Sequence, residues 1–269
     1  MYGYGYSAYN RLSFLGGFDS NAQAFFNATG ITDPTIQSAV NTLVIDLKKD
    51  GIWSKTKAIY PFVGGTATTH KFNLVNPTDT DGAFRLVFFG GWTHSSNGAL
   101  PNGTNGYADT KINILSNLSL TNTHLSFYSR TNLINSVSGS EISALGGYIP
   151  TSSVNLRTRN SSAGSTQYFT IGQDNGAGIS NTNGLGLTLG TTNSLTSRKL
   201  FQNGVLKATQ TASNLGTLKN ANLSICGGEG GYSKNESAFV SIGTHLTDTE
   251  ASNLYTAVQK FQTTLGRQV

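Results

Sequence analysis

The feature that most constrains this chain is a succession of short β-type segments, uninterrupted by helical patterns, from about residue 66 to residue 246. The segments are rich in β-branched and aromatic residues, and several alternate apolar with polar positions, as half-buried strands do. In the segment LFQNGVLKA, the Asn203-Gly204 pair predicts a tight β-hairpin. About ten strands with no helices between them predict an all-β fold, an antiparallel β-sandwich of the jelly-roll type.

A helix is expected ahead of the strands, over residues 31–52. Asp33 can accept hydrogen bonds from the first turn, Pro34 suits that turn, and Gly51 can end the helix. Apolar residues at helical spacing give it one face to bury, namely Ile36, Val40, Leu43, Val44 and Leu47.

A second helix is expected after the strands, over residues 247–265. Thr247 and Glu250 match the capping box T-x-x-E, and Gly266 can end the helix. Its apolar stripe consists of Leu254, Val258, Phe261 and Leu265. These patterns divide the chain into an N-terminal segment at 1–30, a helix and linker at 31–65, and a sandwich ending in a helix at 66–269.

The segment at 1–30 begins with MYGYGYSAYN, in which glycine, alanine and serine separate four tyrosines. Glycine makes such a peptide costly to order by itself, whereas tyrosines are strong anchors once they are buried at an interface. The alternatives are a disordered tail and a peptide that docks on a partner. The docking hypothesis assigns that role to Tyr2, Tyr4, Tyr6 and Tyr9.

The amino-acid composition limits the classes of partner that the chain is expected to bind. Charged residues make up 12% of the chain, which is about half the usual share. The net charge of +5 is scattered, whereas nucleic-acid binding needs a concentrated basic surface, so no nucleic acid is expected. No apolar run approaches the ~18 residues of a membrane span, and the N-terminus lacks the features of a signal peptide. We expect synthesis in the cytoplasm without a secretion signal, and no membrane insertion.

Catalytic residues are not predicted. Jelly-roll glycoside hydrolases usually need two carboxylates that flank the scissile bond. None of the four glutamates lies on an alternating strand with a second carboxylate two or four residues away. Glu229 and Glu236 lie on either side of a loop, and Glu250 belongs to the helix cap. No G-x-S-x-G motif marks a serine nucleophile. The chain is therefore expected not to be an enzyme.

The segment NPTDTDGAF partly matches a calcium loop. If Gly82 is its turn glycine, the first and twelfth ligand positions fall on Pro77 and Phe88, and neither side chain coordinates calcium. A looser calcium site formed by Asp79 and Asp81 stays open beside the alternative of a tight turn. No other cofactor is expected.

The stretch FFGGWTHSSNGALPNGTNGYADT, from Phe88 to Thr110, carries the candidate binding residues. Its Trp92, His94, Tyr107 and Asp109 could line a carbohydrate site, or they could belong to the turns and packing of a sheet. An exposed aromatic shelf near Trp92, drawing on Tyr107, Tyr128 or Tyr148, would favour the carbohydrate-binding hypothesis.

Three segments in the same order resemble concanavalin-A-like, laminin-G-like domains: GALPNGTNGYADTKI, LTSRKLFQNGVLKA and AFVSIGTHLTDTEASNLYTAVQKF. The first is similar to an early strand after a glycine-asparagine turn, the second to a central hairpin, and the third to a closing strand with its helix. The resemblance covers residues 66–265 and implies the concanavalin-A-like jelly roll.

The block from Trp53 to Thr110 resembles a module of tailed-phage and prophage structural proteins, found in fibre, appendage or capsid-surface chains. The resemblance implies a non-enzymatic virion structural protein on the particle surface, anchored to other virion proteins and oligomeric, with a trimer favoured. A carbohydrate-binding adhesin that contacts a host surface glycan is the alternative, and a glycan hydrolase is the third hypothesis.

Overall fold

The computed structural model describes residues 17–135, 140–145, 151–161, 165–228 and 231–269. The helices of this part are α1 (Ser20–Thr29), α2 (Pro34–Lys49), α3 (Ala67–His70), α4 (Ile114–Asn117) and α5 (Asp248–Thr264). The strands are β1 (Thr56–Tyr60), β2 (Val87–Phe89), β3 (Trp92–Ser95), β4 (Gly98–Pro101), β5 (Tyr107–Asn113), β6 (Thr123–Ser129), β7 (Ile142–Ala144), β8 (Ser153–Asn160), β9 (Thr166–Gly172), β10 (Ala177–Ser180), β11 (Gly186–Ser194), β12 (Ser197–Gln202), β13 (Val205–Gln210), β14 (Asn222–Ile225), β15 (Gly227–Gly228), β16 (Gly231–Tyr232) and β17 (Ser237–Gly243).

Most of the described strands form two antiparallel sheets. Sheet A has the order β13-β12-β11-β6-β17-β4-β3, and β1 also pairs with β17. Sheet B has the order β10-β9-β8-β7-β14-β5-β2. Strands β15 and β16 form a separate small hairpin. The expected antiparallel β-sandwich is confirmed.

The interior consists of two apolar layers. One lies between the two sheets and includes Phe127 and Phe169. The other lies between the outer face of sheet A and helices α1, α2 and α5, and includes Leu43, Phe239 and Val258. Sheet A is therefore covered on both faces. The outer face of sheet B, by contrast, is not covered by these three helices.

The local signals for both predicted helices and for the hairpin are confirmed. The Asp33 side chain accepts hydrogen bonds from the backbone of α2, and the capping box of Thr247 and Glu250 begins α5. Asn203 and Gly204 both have positive φ between β12 and β13, as a type I′ turn requires.

Two elements depart from the sequence analysis. Helix α1 lies within the segment assigned to docking, and its Phe25 and Phe26 are buried against the helical layer. Strand β1 lies within residues 31–65, which were expected to form only a helix and a linker. The sequence around β1 does not reveal a strand because its pairing partner is β17, far along the chain. The tyrosines at positions 2, 4, 6 and 9 lie outside the described residues.

The segment HKFNLV, residues 70–75, lies in the region where the sequence predicts strands, but it forms the end of α3 and an irregular connection. Asn73 explains the difference, since its buried side chain hydrogen-bonds the backbone where a neighbouring strand would. Its Oδ1 accepts from the Ile59 and Val75 amides, and its Nδ2 donates to the Lys57 and Ala83 carbonyls.

Candidate functional site

The candidate residues lie where the two sheets present neighbouring edge strands. Strand β2 forms one edge of sheet B, and β3 forms one edge of sheet A. Gly90 and Gly91 connect the two strands. Side chains of successive strand residues point to opposite faces. Ala108 belongs to the core between the sheets, so its neighbours Tyr107 and Asp109 point to the outer face of sheet B.

An aromatic shelf, defined here as Phe89, Tyr107 and Tyr232, lies on that outer face. Phe89 and Tyr107 are paired across β2 and β5, and their rings stack at a centroid distance of 4.9 Å and an angle of 13°. The centroid of the Tyr232 ring lies 6.4 Å from the centroid of the Tyr107 ring. Phe89 is 40% exposed. The shelf therefore offers a row of three rings, of which Phe89 is exposed and Tyr107 and Tyr232 are half-buried.

A glycine allows the two tyrosines to approach. Gly227 pairs with Tyr232 in the β15–β16 hairpin. A Cβ on Gly227 would lie 2.7 Å from the Tyr107 Cβ and 2.8 Å from the Tyr232 ring. Any larger residue would push the rings apart, so Gly227 is required for this row.

Trp92 supports the shelf from the side. Its indole N–H donates to the carbonyl oxygens of Phe89 at 3.0 Å and Tyr107 at 3.3 Å. Its ring packs edge-on against Phe88 at 5.2 Å and against the core between the sheets. Trp92 is thus a packing residue that holds β2 and β5 together, rather than the stacking surface itself.

His94 points to the same inner side as Trp92 and pairs with His70. The two Nδ1 atoms lie 2.9 Å apart, and His94 packs edge-on against Phe88 at 4.6 Å. Burial, the neighbouring His94 and Arg267 lower the pKa of His70 to about 3. His70 Nε2 is buried with no partner among the described residues. Since an unpaired buried acceptor occurs more readily than an unpaired N–H, we assign the shared proton to His70.

Asp109 lies beside the shelf inside β5. Its carboxylate accepts from the Lys111 amide at 2.7 Å, from Asn222 Nδ2 at 3.1 and 3.2 Å, and forms an ion pair with Lys111 Nζ at 3.0 Å. Asp109 is buried. It therefore anchors a neutralised polar network next to the rings.

A rigid loop borders the shelf on the other side. Asn102 Oδ1 accepts from the backbone N–H groups of Thr104, Asn105 and Gly106. Asn105 Oδ1 accepts from Asn102 Nδ2 and from the Gly91 amide. Neither asparagine is predicted from the sequence as a site residue, although the repeated Asn-Gly pairs of PNGTNGY are a signal for this loop.

Asp79 and Asp81, the residues of the looser candidate calcium site, face basic side chains. Asp79 forms ion pairs with Lys71 and Arg85, while Asp81 forms ion pairs with Arg85 and, at 3.9 Å, with Lys111. Hydrogen bonds from Lys71 and Arg85 lower the pKa of Asp79. Within the described residues, no group of three or more His, Cys, Asp or Glu side chains is arranged to hold a metal ion.

The remaining candidates do not join the shelf. Tyr128 is fully buried beneath α5, and its hydroxyl donates to Gln259 at 3.1 Å, so the expectation that it could belong to an exposed aromatic shelf is wrong. Glu236 forms an ion pair with Arg130 at 3.0 Å. Tyr148 and Glu229 lie outside the described residues. No helix in the described part is both long and apolar enough to span a bilayer.

The fold and the site define a β-sandwich of two antiparallel sheets with an exposed aromatic shelf. Compared with protein-family models and with curated proteins, the sequence matches none of them. Among solved structures, domain 4 of the extracellular GH43 arabinanase AbnA from Geobacillus stearothermophilus, in complex with arabinotriose, is 14% identical, with 74% of this chain and 98% of that chain covered and a TM-score of 0.45.

The binding domain of botulinum neurotoxin serotype D is also 14% identical, with 77% of this chain and 52% of that chain covered and a TM-score of 0.46. The chain therefore spans about half the length of that toxin domain. These distant similarities carry no argument about what this chain binds.

Proposed function

We propose that this chain is a non-enzymatic, carbohydrate-binding β-sandwich displayed on the surface of a virion appendage. The observation that carries the binding role is the stacked pair of the exposed Phe89 and the half-buried Tyr107, continued by Tyr232. A sugar ring has an apolar C–H face that packs on aromatic rings, and binding sites combine such rings with a few fixed polar groups. The half-buried Asn222, held by the buried carboxylate of Asp109, supplies a fixed polar group at the edge of this row.

The site is held in place before any ligand arrives. Trp92 fixes the backbone of both Phe89 and Tyr107, and the Asn102 loop is fixed by its own hydrogen bonds. Rigid aromatic side chains lose little conformational entropy on binding. Preorganisation of this kind lowers the cost of association, which favours a binding role for the shelf.

The chemistry near the shelf favours binding without turnover. Hydrolysis of a glycosidic bond ordinarily uses two carboxyl groups, one of which must donate a proton. Asp109, the carboxylate that the described part of the chain places beside the shelf, is engaged by Lys111 and by Asn222. This arrangement supports the proposal that the protein is not a hydrolase.

The test is a binding measurement against a panel of immobilised oligosaccharides of bacterial surfaces. We expect Tyr107→Ala and Phe89→Ala each to weaken binding about tenfold, a loss of ~1.4 kcal/mol. Val205→Ala is the matched control, because it removes an exposed apolar side chain from β13, outside the shelf. Binding that survives both shelf substitutions, or a protein that binds no glycan of the panel, contradicts the proposal.

The virion location is the second part of the proposal and rests on the sequence block from Trp53 to Thr110 and on the tyrosine segment. We propose that residues 1–12, with Tyr2, Tyr4, Tyr6 and Tyr9, dock the chain on other virion proteins, and that it acts as a homo-oligomer, with a trimer favoured. Deleting residues 1–12 should leave the melting temperature nearly unchanged and abolish incorporation into particles. Incorporation of the truncated protein at normal copy number contradicts the docking role.

A further inference from the structure

A second cluster of reactive groups lies inside the sandwich, apart from the shelf. Glu141 precedes β7, Thr158 lies on β8, and Asn235 precedes β17. All three residues are fully buried, with no exposed side-chain surface. A carboxylic acid, a hydroxyl and a carboxamide are therefore enclosed together away from solvent.

The Asn235 side chain joins the other two. Its Nδ2 lies 2.9 Å from Glu141 Oε1 and 3.1 Å from Thr158 Oγ1. Its Oδ1 accepts from the Thr131 hydroxyl at 3.1 Å and from the Leu133 amide at 3.3 Å. Because a backbone N–H only donates, the Leu133 contact fixes the orientation of the carboxamide, with its oxygen towards those two donors.

Glu141 is placed to exchange a proton with Thr158 and Asn235. Its Oε2 accepts from the Thr158 amide at 2.7 Å, and its Oε1 accepts from the side chains of Asn235, Asn135 and Ser233. Burial raises the pKa of Glu141, against the opposing effect of its hydrogen bonds to Thr158 and Asn235. A carboxylate that is reluctant to stay charged is a better proton acceptor from a neighbouring hydroxyl.

We propose that Thr158 and Asn235 react with each other to form an intramolecular ester, with Glu141 as the acid–base catalyst. Thr158 Oγ1 attacks Asn235 Cγ while its proton passes to Glu141. The oxyanion that forms at Asn235 Oδ1 is stabilised by the Leu133 amide and the Thr131 hydroxyl. The C–Nδ2 bond then breaks, Glu141 returns the proton to the leaving nitrogen, and ammonia departs. The products are one ester and one ammonia molecule, with no change of oxidation state.

Another buried asparagine shows what distinguishes this cluster. Asn73 also has a fully hydrogen-bonded carboxamide, but its partners are the backbone groups of Ile59, Val75, Lys57 and Ala83. Asn73 is thus bonded to neither a hydroxyl nor a carboxylic acid. Asn235 has a nucleophile, an acid–base group and two oxyanion donors, which is the set that acyl transfer requires.

The test is the intact mass of the full-length protein, followed by peptide mapping. The wild-type protein should be lighter than its sequence mass by one ammonia molecule. After digestion with trypsin, the peptide that contains Thr158 should remain joined to the peptide that begins at Asn235. Mild alkali should separate them and leave aspartate at position 235.

Variants of the cluster identify which side chains take part in ester formation. Thr158→Val and Glu141→Gln should each restore the full sequence mass, while Thr192→Val, which removes a buried hydroxyl from β11, should keep the mass loss. A wild-type protein at full sequence mass, with the two peptides separate, overturns the proposal whether or not the variants fold. The same mass loss in Thr158→Val also overturns it, because the ammonia would then come from another reaction.

Discussion

Phe89 and Tyr107 are direct cross-strand partners whose rings stack at 4.9 Å and 13° on the outer face of sheet B. Strand β2 contributes only Val87–Phe89 to this edge, so backbone pairing by itself gives the Phe89 ring limited support. The contacts of Trp92 to the carbonyls of both residues supply the rest.

Trp92→Phe should therefore reduce stability through the hydrogen bonds rather than through loss of packing. The phenyl ring retains most apolar contacts, whereas two carbonyl oxygens lose their N–H donor. We expect the free energy of unfolding to fall by about 1–3 kcal/mol in urea titrations. Glycan binding should weaken less than in Tyr107→Ala. An unchanged free energy of unfolding would show that the indole N–H is not holding the two strands.

Gly190 tests the contact between the two sheets. A Cβ at this position in β11 would lie 2.1 Å from two ring atoms of Phe169 in the facing sheet. Gly190→Ala should destabilise the fold by about 1–3 kcal/mol, as overpacking of a core does. Gly82→Ala is the control, because no atom lies within 4 Å of its Cβ position and its φ is not positive. Equal melting temperatures for the two variants would contradict the packing.

The lowered pKa values of His124 and His70 predict that the folded protein loses stability in acid. Burial lowers the pKa of His124 to about 4 and that of His70 to about 3. Between pH 6.5 and about 4 the unfolded chain therefore binds more protons than the folded one, and stability falls as the pH falls, by up to about 1.4 kcal/mol per pH unit for each group. Glu141, with its raised pKa, acts in the opposite direction.

The contribution of His124 is isolated by His124→Gln. The His124 Nδ1–H donates to the Thr244 carbonyl, so its Nε2 accepts from Ser241, and glutamine can reproduce these roles without titrating. Melting temperatures between pH 4 and pH 7 should vary less steeply in the variant than in the wild type. Parallel curves would mean that His124 does not cause the acid sensitivity.

Thr247→Ala tests the capping box of α5. The Thr247 hydroxyl accepts from the Glu250 amide, and Glu250 accepts from the Thr247 amide while forming an ion pair with Lys55. Removing the hydroxyl should cost about 1 kcal/mol of stability in denaturant titrations. Thr247→Ser should restore most of this loss, and a serine variant as weak as the alanine variant would contradict the capping role.

Calcium should leave the stability unchanged. A calcium ion at Asp79 and Asp81 would have to displace the bonds from Lys71 and Arg85. We expect the same melting temperature in excess calcium and in excess chelator. A rise with calcium that disappears in Asp79→Asn would establish the site that the sequence left open.

Local signals in the sequence identified the elements that depend on neighbouring residues. The T-x-x-E box located the start of α5, and the Asn203-Gly204 pair located a hairpin, because both act over a few residues. Tyr128 was misjudged because alternation along a strand does not reveal that a helix covers its second face. Tyr232 was missed because it joins the shelf through Gly227, and no pattern near Tyr107 points to a residue so distant in the chain.

The position of β17 in sheet A also dictates the order in which this protein can fold during its synthesis. β17 lies C-terminal to every other strand described here, yet it pairs with β6 along one side and with β1 and β4 along the other. Until the ribosome has released it, β6 has an unpaired edge and β1 has no described partner, so the nascent chain exposes strands that are prone to join another molecule. Because closing such distant contacts is slow, a pause in translation before β17 should favour aggregation far more than a pause after it.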